Sequence, residues 1–393
     1  MNTAIKTVVV VHASAEWRTF HRRSMLQALA AECPETIGVM VVNRPVTFDV
    51  GPWRHPRKFF AGFWRSAVAE ERPNLITLTP RLPLHEIVAN RLPFAVSVNS
   101  MLMRRQVHGA IGRLFPKAEQ LIQWIYYPSQ RWVWDAFHGN AKVYECYDDY
   151  PRAASGVFDN ELWMQEQQVL READLTFATA LSLMEERATI ARRLKFLPNG
   201  VPDFFFDQSP AFVDETIQSV PHPRIGYLGN IFSHMDYPLL EELFQQNPQW
   251  HFVLVGPIEN QERVAKLRSL RNVHYVGPRP YAQVPSVLRQ MDVGLIPFLD
   301  NTFTRAINPL KLYEYLAVGL PTVATQLPEL DRFKDVIWLP RNTVQDYQAA
   351  ITAAISSPPQ KSKSEMVEAA KPYAWANIAR QYVLPPLMDI LQR

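Results

Sequence analysis

The sequence predicts an α/β protein built from two doubly wound domains that face each other across a cleft. At 393 residues the chain is too long for one ordinary core, which favours two domains. Short, nearly continuous apolar runs alternate with helical patterns, as is typical of buried parallel strands in βα units. These runs form two series, and the stretch near 198–222 between them is rich in Pro and turn residues, which indicates a linker.

Each series of apolar runs predicts the strands of one sheet. The first comprises KTVVVV, TIGVMVV, NLITLTP, LIQWIYYP, AKVYECYDD and DLTFATA. The second comprises PRIGYLGN, WHFVLVGP, VHYVGP, DVGLIPF and PTVAT. We therefore place the first domain at 1–200 and the second at 221–373, and we expect a helical tail, 374–393, to pack back on the first domain. Ligands of such sheets bind beyond the carboxyl ends of the strands, where the cleft should lie.

Composition narrows the class of protein. Apolar residues make up 47% and charged residues 20% of the chain, as in a soluble globular protein. Cys33 and Cys146 form no CxxC pair, which argues against a disulfide scaffold or a cysteine zinc site and favours a reducing compartment. The four-valine run near the N-terminus is too short for the apolar region of a signal peptide. We expect a cytoplasmic protein.

Positive charge is concentrated in the first half of the chain. Residues 1–200 contain 24 Lys and Arg against 19 Asp and Glu, which leaves 17 against 19 in the remainder. This excess is too small for a nucleic-acid-binding protein. The segments 51–65 and 103–117 interleave basic with aromatic or aliphatic residues, a pattern that suits an anionic membrane surface. We expect peripheral association with the inner face of the plasma membrane; core helices with basic solvent-facing sides are the alternative.

The stretch NPLKLYEYLAVGLPTVAT, 308–325, predicts a helix that leads into a short strand. Asn308 can cap the helix, Pro309 suits its first position and Gly319 can end it. A lysine in the first turn, Lys311, faces the positive end of the helix dipole at a cost of about 0.3–1 kcal/mol. That cost disappears if an anion such as a diphosphate binds at this helix end.

Glu314 lies one turn beyond Lys311 and could accept hydrogen bonds from a pair of ribose hydroxyls. The two side chains would then hold a nucleotide by its phosphates and its sugar. The alternative is a local Lys311–Glu314 ion pair on an exposed helix face, which would stabilise the helix by roughly a few tenths of a kcal/mol.

The same stretch resembles the nucleotide-sugar signature of GT-B glycosyltransferases in the group 1 (family 4-like) branch, which includes bacterial exopolysaccharide and teichuronic-acid-type enzymes. The order GYLGN, FVLVGP, DVGLIPF and then the signature matches this family over about 224–330. The resemblance implies a GT-B fold of two Rossmann-like domains. It also implies a hexosyltransferase that uses a nucleotide sugar, expected to be a UDP-sugar, as co-substrate and needs no metal ion or other cofactor.

The resemblance also implies roles for individual residues. By it, Lys311 contacts the donor diphosphate, Glu314 binds the donor ribose, and the backbone of Gly229 and Asn230 lies near the phosphates. Further residues are expected near the diphosphate or the donor sugar: Arg305, Asn308, Pro309 and Leu310. Many relatives carry two glutamates separated by seven residues, and here the first of these positions is Ala306.

A second candidate site is VYECYDDYP, 143–151, where a strand ends in two adjacent acids. Neighbouring carboxylates repel, so at least one should be solvated, paired or raised in pKa. The tract resembles a loop of inverting GT-B enzymes in which an Asp is the catalytic base, which implies this role for Asp148, with Asp149 as the less favoured choice. A solvated loop or a helix cap is the alternative. A base is needed because the acceptor hydroxyl loses its proton as it attacks.

The loop HASAEWRTFHRRSM, 12–25, follows the first strand and should also face the cleft. It supplies three candidate acceptor contacts: His12, Trp17 and Arg22. A surface loop leading into an ordinary helix is equally compatible with this pattern.

These features predict transfer of a sugar from a nucleotide diphosphate to a glycan or lipid-linked acceptor in bacterial surface polysaccharide synthesis. Two rival functions use the same fold. A nucleotide-sugar epimerase would need no acceptor surface, and a non-catalytic sugar-binding assembly subunit would keep only the nucleotide pocket.

Overall fold

The computed structural model describes residues 4–13, 15–47, 68–84, 92–137, 139–152, 157–209, 212–356 and 361–392. The segment 51–65, part of the predicted membrane surface, lies outside these residues. Within them, no helix combines the length and the apolar content needed to cross a bilayer.

Fifteen strands are present in the described ranges. They are β1 (Thr7–His12), β2 (Ile37–Val42), β3 (Val46–Thr47), β4 (Val68–Arg72), β5 (Leu75–Leu78), β6 (Arg81–Leu82), β7 (Gln120–Ile125), β8 (Ala141–Cys146), β9 (Leu175–Ala178), β10 (Leu194–Phe196), β11 (Arg224–Leu228), β12 (His251–Val255), β13 (Val273–Tyr275), β14 (Val293–Ile296) and β15 (Thr322–Ala324). All eleven apolar runs singled out in the sequence form strands, which confirms those predictions.

The helices alternate with these strands. They are α1 (Arg23–Glu32), α2 (Pro93–Leu114), α3 (Trp132–Ala136), α4 (Asn160–Glu172), α5 (Leu181–Arg187), α6 (Glu215–Gln218), α7 (Tyr237–Gln246), α8 (Gln261–Arg268), α9 (Val284–Leu288), α10 (Leu310–Ala317), α11 (Val344–Ile355), α12 (Lys363–Ala370), α13 (Trp375–Ile378) and α14 (Leu384–Leu391). A short π-helix, Ala379–Val383, joins the last two.

Two separate sheets form the cores of two domains. The first has the order β10-β9-β8-β7-β1-β2-β5-β4, parallel except where β4 runs antiparallel to β5. The second has the order β13-β12-β11-β14-β15 and is parallel throughout. In each, the central strands are buried between helices, and the prediction of an α/β fold with two doubly wound domains is confirmed.

The segments that join the domains are packed rather than free. Phe205 and Ile217, in the predicted linker, are fully buried in the core of the second domain. The tail beginning at Trp375 crosses back, and its apolar side chains join the core cluster that surrounds α1 and β1. A backbone ladder between Val201 and residues 373–375 ties the two crossings together.

Candidate active site

Lys311 lies in the first turn of α10, next to the carboxyl end of β11. Its ammonium faces aromatic rings, with Nζ at 5.1 Å from the ring centroid of Tyr227, 5.5 Å from that of Phe232 and 5.6 Å from that of Phe298. Burial lowers the pKa of Lys311 to about 8, and the charge of Glu314 opposes this shift. A cation held among rings and helix N–H groups is suited to an incoming anion.

The backbone of Gly229 passes directly over this lysine. Gly229 follows β11 with a φ of +125°, and a Cβ built on it would lie 2.6 Å from Cε and 2.9 Å from Nζ of Lys311. The next loop is equally close, since a Cβ on Gly256 (φ +139°) would meet the carbonyl oxygen of Gly229. Both positions therefore require glycine. Asn230, the next residue after Gly229, is exposed.

Glu314 is buried, with 7% of its surface exposed. Its Oε1 accepts a hydrogen bond from the Tyr281 hydroxyl at 2.8 Å. Burial raises the pKa of Glu314 to about 7, while the hydrogen bond from Tyr281 and the charge of Lys311 lower it. The alternative of an exposed Lys311–Glu314 ion pair is wrong, because the carboxylate is inside the domain. The sequence analysis did not predict a role for Tyr281. Its position after GPRP, in the loop following β13, could have indicated one.

The expectation that Asn308 caps α10 is wrong. The helix begins at Leu310, and its preceding residue, Pro309, makes no side-chain cap. Asn308 is buried and instead spans the domains: its Nδ2 donates to the Thr179 carbonyl at 2.8 Å, and its Oδ1 accepts from the Tyr313 hydroxyl at 2.9 Å. Both the nitrogen and the oxygen of the Asn308 amide are already hydrogen-bonded, so this side chain joins the two domains beside Lys311.

The end of α10 follows the sequence prediction. Gly319 has a φ of +68°, its N–H donates to the Leu316 carbonyl, and the Leu320 N–H donates to the Tyr315 carbonyl. This is a Schellman motif, which needs a residue with positive φ at this position.

Arg305 and Leu310, which were also expected near the donor, lie in different surroundings from Lys311. Arg305 is 59% exposed and pairs with Asp300, with Nε at 2.6 Å from Oδ1. It lines a groove between the domains that also includes Asp149 and Arg152, while no contact links it to Lys311 among the described residues. Leu310 is partly buried against the first domain. Ala306 is buried against the same domain, in a different core cluster.

The two acids after β8 have different environments. Asp149 is 1% exposed and forms ion pairs with Arg187 at 3.1 Å and Arg152 at 2.7 Å. Asp148 is partly exposed, and burial raises its pKa to about 6, with the charge of Asp149 adding to the shift. The prediction that one carboxylate is paired or shifted is confirmed: one is paired and the other is shifted.

Aromatic residues next to Asp148 in the sequence pack against further rings. The hydroxyls of Tyr127 and Tyr147 are 2.9 Å apart, and the ring of Tyr150 lies 4.6 Å from that of Tyr127. The rings of His21 and Tyr147 pack at a tilt, with centroids 4.2 Å apart. These rings were not chosen from the sequence, although the repeated tyrosines in ECYDDY were visible there. Flat ring faces beside a carboxylate are suited to a sugar.

Arg22 and Trp17 lie inside the protein. Arg22 is 1% exposed; its Nε donates to Glu145, and its Nη1 donates to Oδ1 of Asn199 at 2.5 Å. Asn199 in turn donates to the Asn308 carbonyl at 2.6 Å, so Arg22 belongs to a buried chain between the domains. Trp17 is 4% exposed. The burial of both side chains argues against direct acceptor contact.

His12 lies at the carboxyl end of β1 and lines a cavity of about 240 Å³ in the first domain. It is 3% exposed, and its Nε2 is 2.8 Å from Oε1 of Gln123. Burial lowers the pKa of His12 to about 4, so the ring is neutral near pH 7. Tyr127 lines the same cavity and is hydrogen-bonded to Tyr147, the residue before Asp148.

Among the described residues, no group of three or more His, Cys, Asp or Glu side chains could hold a metal ion.

The second domain is similar to a known family. Residues 222–357 match the family model described as Glycosyl transferases group 1. A curated relative, the putative teichuronic acid biosynthesis glycosyltransferase TuaH of Bacillus subtilis (strain 168), is 26% identical over 231 residues, which are 55% of this chain and 58% of that protein. The chain thus matches little more than half the length of this relative.

Solved structures agree on the fold of the whole chain. Sucrose-phosphate synthase from Thermosynechococcus elongatus has a TM-score of 0.66 at 17% identity, over 96% of this chain and 97% of that one. A trehalose-6-phosphate structure from E. coli bound with UDP-2-fluoro glucose has a TM-score of 0.69 at 11% identity, over 99% of both chains. A UDP-forming trehalose-phosphate synthase from Burkholderia xenovorans in complex with glucose-6-phosphate scores 0.67 at 11% identity, over 98% of this chain and all of that one.

The fold is therefore GT-B, as the sequence predicted. The resemblance to group 1 glycosyltransferases is confirmed, and it extends to a teichuronic-acid-type relative.

Proposed function

We propose that this protein is a glycosyltransferase that moves a sugar from a nucleotide diphosphate to a glycan or lipid-linked acceptor in bacterial surface polysaccharide synthesis. The observation that carries the proposal is the pairing of Lys311 with Gly229. The Lys311 ammonium lies against a glycine backbone, on a helix that presents a buried carboxylate, Glu314, one turn later. The match of this segment to group 1 glycosyltransferases supports the same reading.

In this mechanism Lys311 and the N–H groups at the start of α10 offset the charge that develops on the departing diphosphate. Glu314, oriented by Tyr281, accepts hydrogen bonds from the ribose hydroxyls. Asp148 removes the proton of the acceptor hydroxyl as it attacks the anomeric carbon, which implies inversion of configuration. No metal ion or further cofactor takes part. The structural neighbours named UDP-forming or bound with a UDP-sugar analogue support a UDP-sugar as donor.

A surface on α2 supports a membrane-bound or lipid-linked acceptor. Phe94, Val98 and Met101 follow one another at helical spacing and are 69%, 38% and 61% exposed. Arg104 and Arg105, one turn further, are also exposed. Exposed apolar side chains next to arginines are suited to an anionic lipid surface, with the rest of the protein on the cytoplasmic side.

The cavity lined by His12 and Tyr127 supports transfer over epimerisation, because an epimerase has no acceptor to bind. The test is a panel of nucleotide sugars, screened first for thermal stabilisation of the full chain. The donor that stabilises it is then incubated with bacterial lipid extract, and hydrolysis, epimer formation and transfer are measured separately. Transfer is expected. Epimer formation without transfer would overturn the proposal, and so would the absence of stabilisation by every nucleotide sugar.

A further inference from the structure

Thr179 lies just beyond the carboxyl end of β9, beside the end of β8, and is fully buried. It makes two hydrogen bonds to the residues that precede Asp148. Its N–H donates to the Cys146 carbonyl at 3.2 Å, and its Oγ1 donates to the Tyr147 carbonyl at 3.0 Å. The ladder between β8 and β9, which pairs Cys146 with Ala178, is thus extended by one residue and one side chain. Thr179 therefore fixes the backbone that leads into Asp148.

The position of the Asp148 carboxylate depends on this backbone. Its Oδ1 accepts a hydrogen bond from the backbone N–H of Asp149 at 3.0 Å. The carboxylate and the group that orients it belong to the same turn, which follows directly on Tyr147. A displacement of this turn would therefore displace the carboxylate as well.

The second domain holds the same threonine from the other side. Asn308 is 5% exposed, and its Nδ2 donates to the Thr179 carbonyl at 2.8 Å. The Tyr313 hydroxyl donates to Oδ1 of Asn308 at 2.9 Å, which fixes the orientation of the amide. Asn308 lies three residues before Lys311 in the chain. One buried residue, Thr179, thus connects the segment that carries Lys311 to the backbone of Asp148.

A second contact between the domains lies two residues further along the chain. The backbone N–H of Leu181, the first residue of α5, donates to Oε1 of Glu329 in the second domain. Glu329 is 1% exposed, and its Oε2 accepts from Arg332 at 3.0 Å. Arg332 also donates to the Tyr313 hydroxyl at 3.2 Å. The second domain therefore holds this turn at two points, residues 179 and 181.

We propose that Thr179 and Asn308 are positioning residues that hold the base, Asp148, in place relative to the diphosphate site at Lys311. The inference rests on the proposed function, in which both groups act on the same sugar during one transfer. The base must lie within hydrogen-bond reach of the acceptor hydroxyl, whereas Lys311 belongs to the other domain. Contacts between the domains therefore set the geometry of the reaction, and Thr179 makes such a contact on each side.

Transfer kinetics of Thr179→Val test this role. Valine has nearly the same shape and retains the backbone hydrogen bonds of residue 179, but the Tyr147 carbonyl loses its donor. We expect kcat at saturating donor to fall by about 10–10²-fold, the range for a catalytic group displaced by up to about 1 Å. UDP affinity should be unchanged, because Thr179 contacts the base's turn and not the nucleotide. An unchanged kcat in folded Thr179→Val would overturn the proposal.

Two matched variants control for the substitution itself. Thr179→Ser keeps the hydroxyl and should restore most of the transfer rate. Thr176→Val makes the same change in β9, where Thr176 is also fully buried but its hydroxyl has no hydrogen-bond partner among the described residues. It should transfer at the wild-type rate. A loss in Thr176→Val as large as in Thr179→Val would show that the hydrogen bond to Tyr147 is not the cause.

The Asp148→Asn background separates positioning from a general loss of structure. If Thr179 acts through the base, Thr179→Val should cause no further loss of transfer in Asp148→Asn. The same loss in both backgrounds would overturn the proposal. Asn308→Leu removes the donor to the Thr179 carbonyl at nearly constant volume and serves as the second position should Thr179→Val not fold. Its loss of transfer should likewise disappear in Asp148→Asn, and full activity of Asn308→Leu would count against the proposal.

A measurement without turnover distinguishes this inference from the proposed function. Burial raises the pKa of Asp148 to about 6, so a loosened turn that admits water should lower this pKa towards its ordinary value in Thr179→Val. Carbon-13 NMR of the carboxyl, assigned with Asp148→Asn, measures it. A lowered pKa in a protein that neither binds UDP nor transfers sugar would refute the proposed function and leave the control of this turn by Thr179 standing. Wild-type transfer with an unchanged rate in Thr179→Val would refute this inference alone.

Discussion

Lys311 fills the space beside Gly229 that a side chain would need: its Cε would lie 2.6 Å from a Cβ added to the glycine. The contact joins the helix that starts the signature to the loop that follows the first strand of the second domain. It holds the ammonium at the carboxyl edge of the sheet, where ligands of parallel sheets bind.

Gly229→Ala should therefore weaken nucleoside diphosphate binding. The added methyl group is strained by the φ of +125° and displaces the lysine ammonium. We expect at least a tenfold loss of UDP affinity by calorimetry, roughly the worth of one charge-assisted hydrogen bond. Gly109→Ala is the matched control, because a Cβ there meets nothing within 4 Å. Equal affinities in the two variants would show that Lys311 does not hold the diphosphate.

Lys311 also predicts a pH dependence. Its pKa of about 8, lowered by burial from 10.5, means that the free protein loses this charge just above neutral pH. Above about pH 8, where Glu314 with its pKa of about 7 is already mostly ionised, UDP affinity should fall by up to about tenfold per pH unit, as linkage requires. Uridine, which has no phosphate, should bind independently of pH in this range. Lys311→Arg, with a permanent charge, should remove the inflection; its persistence there would assign the titration to another group.

Glu314 and Lys311 should bind different parts of the nucleotide, the ribose and the diphosphate respectively. Glu314→Gln should weaken uridine and UDP by the same factor, whereas Lys311→Ala should weaken UDP and leave uridine nearly unchanged, because each side chain contacts a different part of the ligand. Calorimetry with both ligands on both variants measures this. A loss confined to UDP in Glu314→Gln would contradict the ribose assignment.

The fold could be predicted because each buried strand is marked by a short apolar run of neighbouring residues. Most of the eleven predicted strands are buried on both faces, so they are nearly continuous apolar runs such as TVVVVH and HFVLV. The strands that were missed lack this mark. Strand β4 has the sequence VAEER and is mostly exposed at the sheet edge, while β3, β6 and β10 have only two or three residues.

The candidate site could be predicted only where its residues lie on a single helix or strand. Lys311 and Glu314 lie one turn apart on α10, so their spacing indicated a common ligand. The function of Arg22 depends on Glu145, 123 positions away, and on Asn199, 177 positions away. Asn308 bonds to a carbonyl 129 positions away. No spacing rule brings such partners together, and both side chains were therefore expected to face the cleft or the helix end.

The exposed side of α2 predicts binding to anionic vesicles. The protein should co-sediment with vesicles containing phosphatidylglycerol and be released as salt rises, because surface charges are screened. Arg104→Glu with Arg105→Glu should abolish the salt-sensitive part, and Phe94→Ser with Met101→Ser should weaken what remains. Lys266→Glu with Arg271→Glu makes the same change of charge on the second domain and should have no effect. Equal binding of wild type to neutral vesicles would contradict the electrostatic component.

Substitution of Asp148 should affect catalysis, whereas substitution of Asp149 should affect stability. General base catalysis contributes about 10²–10⁴-fold, so Asp148→Asn should lower turnover on that scale with UDP affinity unchanged. Because burial raises the pKa of Asp148 to about 6, the base is ionised above that value, and the transfer rate should fall as pH drops through it. The same raised pKa means that ionisation destabilises the fold, so Asp148→Asn should not lower the free energy of unfolding at pH 7.

Asp149→Asn should act on the fold instead. Its carboxylate pairs with Arg187, which is fully buried, and with Arg152. Removing one member of a buried pair typically costs about 3 kcal/mol or more, although Glu166 still pairs with Arg187 here and should hold the loss near the lower end. Urea unfolding of both variants, alongside transfer rates and the anomeric configuration of the product, measures the division. Full transfer activity in Asp148→Asn, or a product with the donor's own anomeric configuration, would show that this carboxylate is not the base.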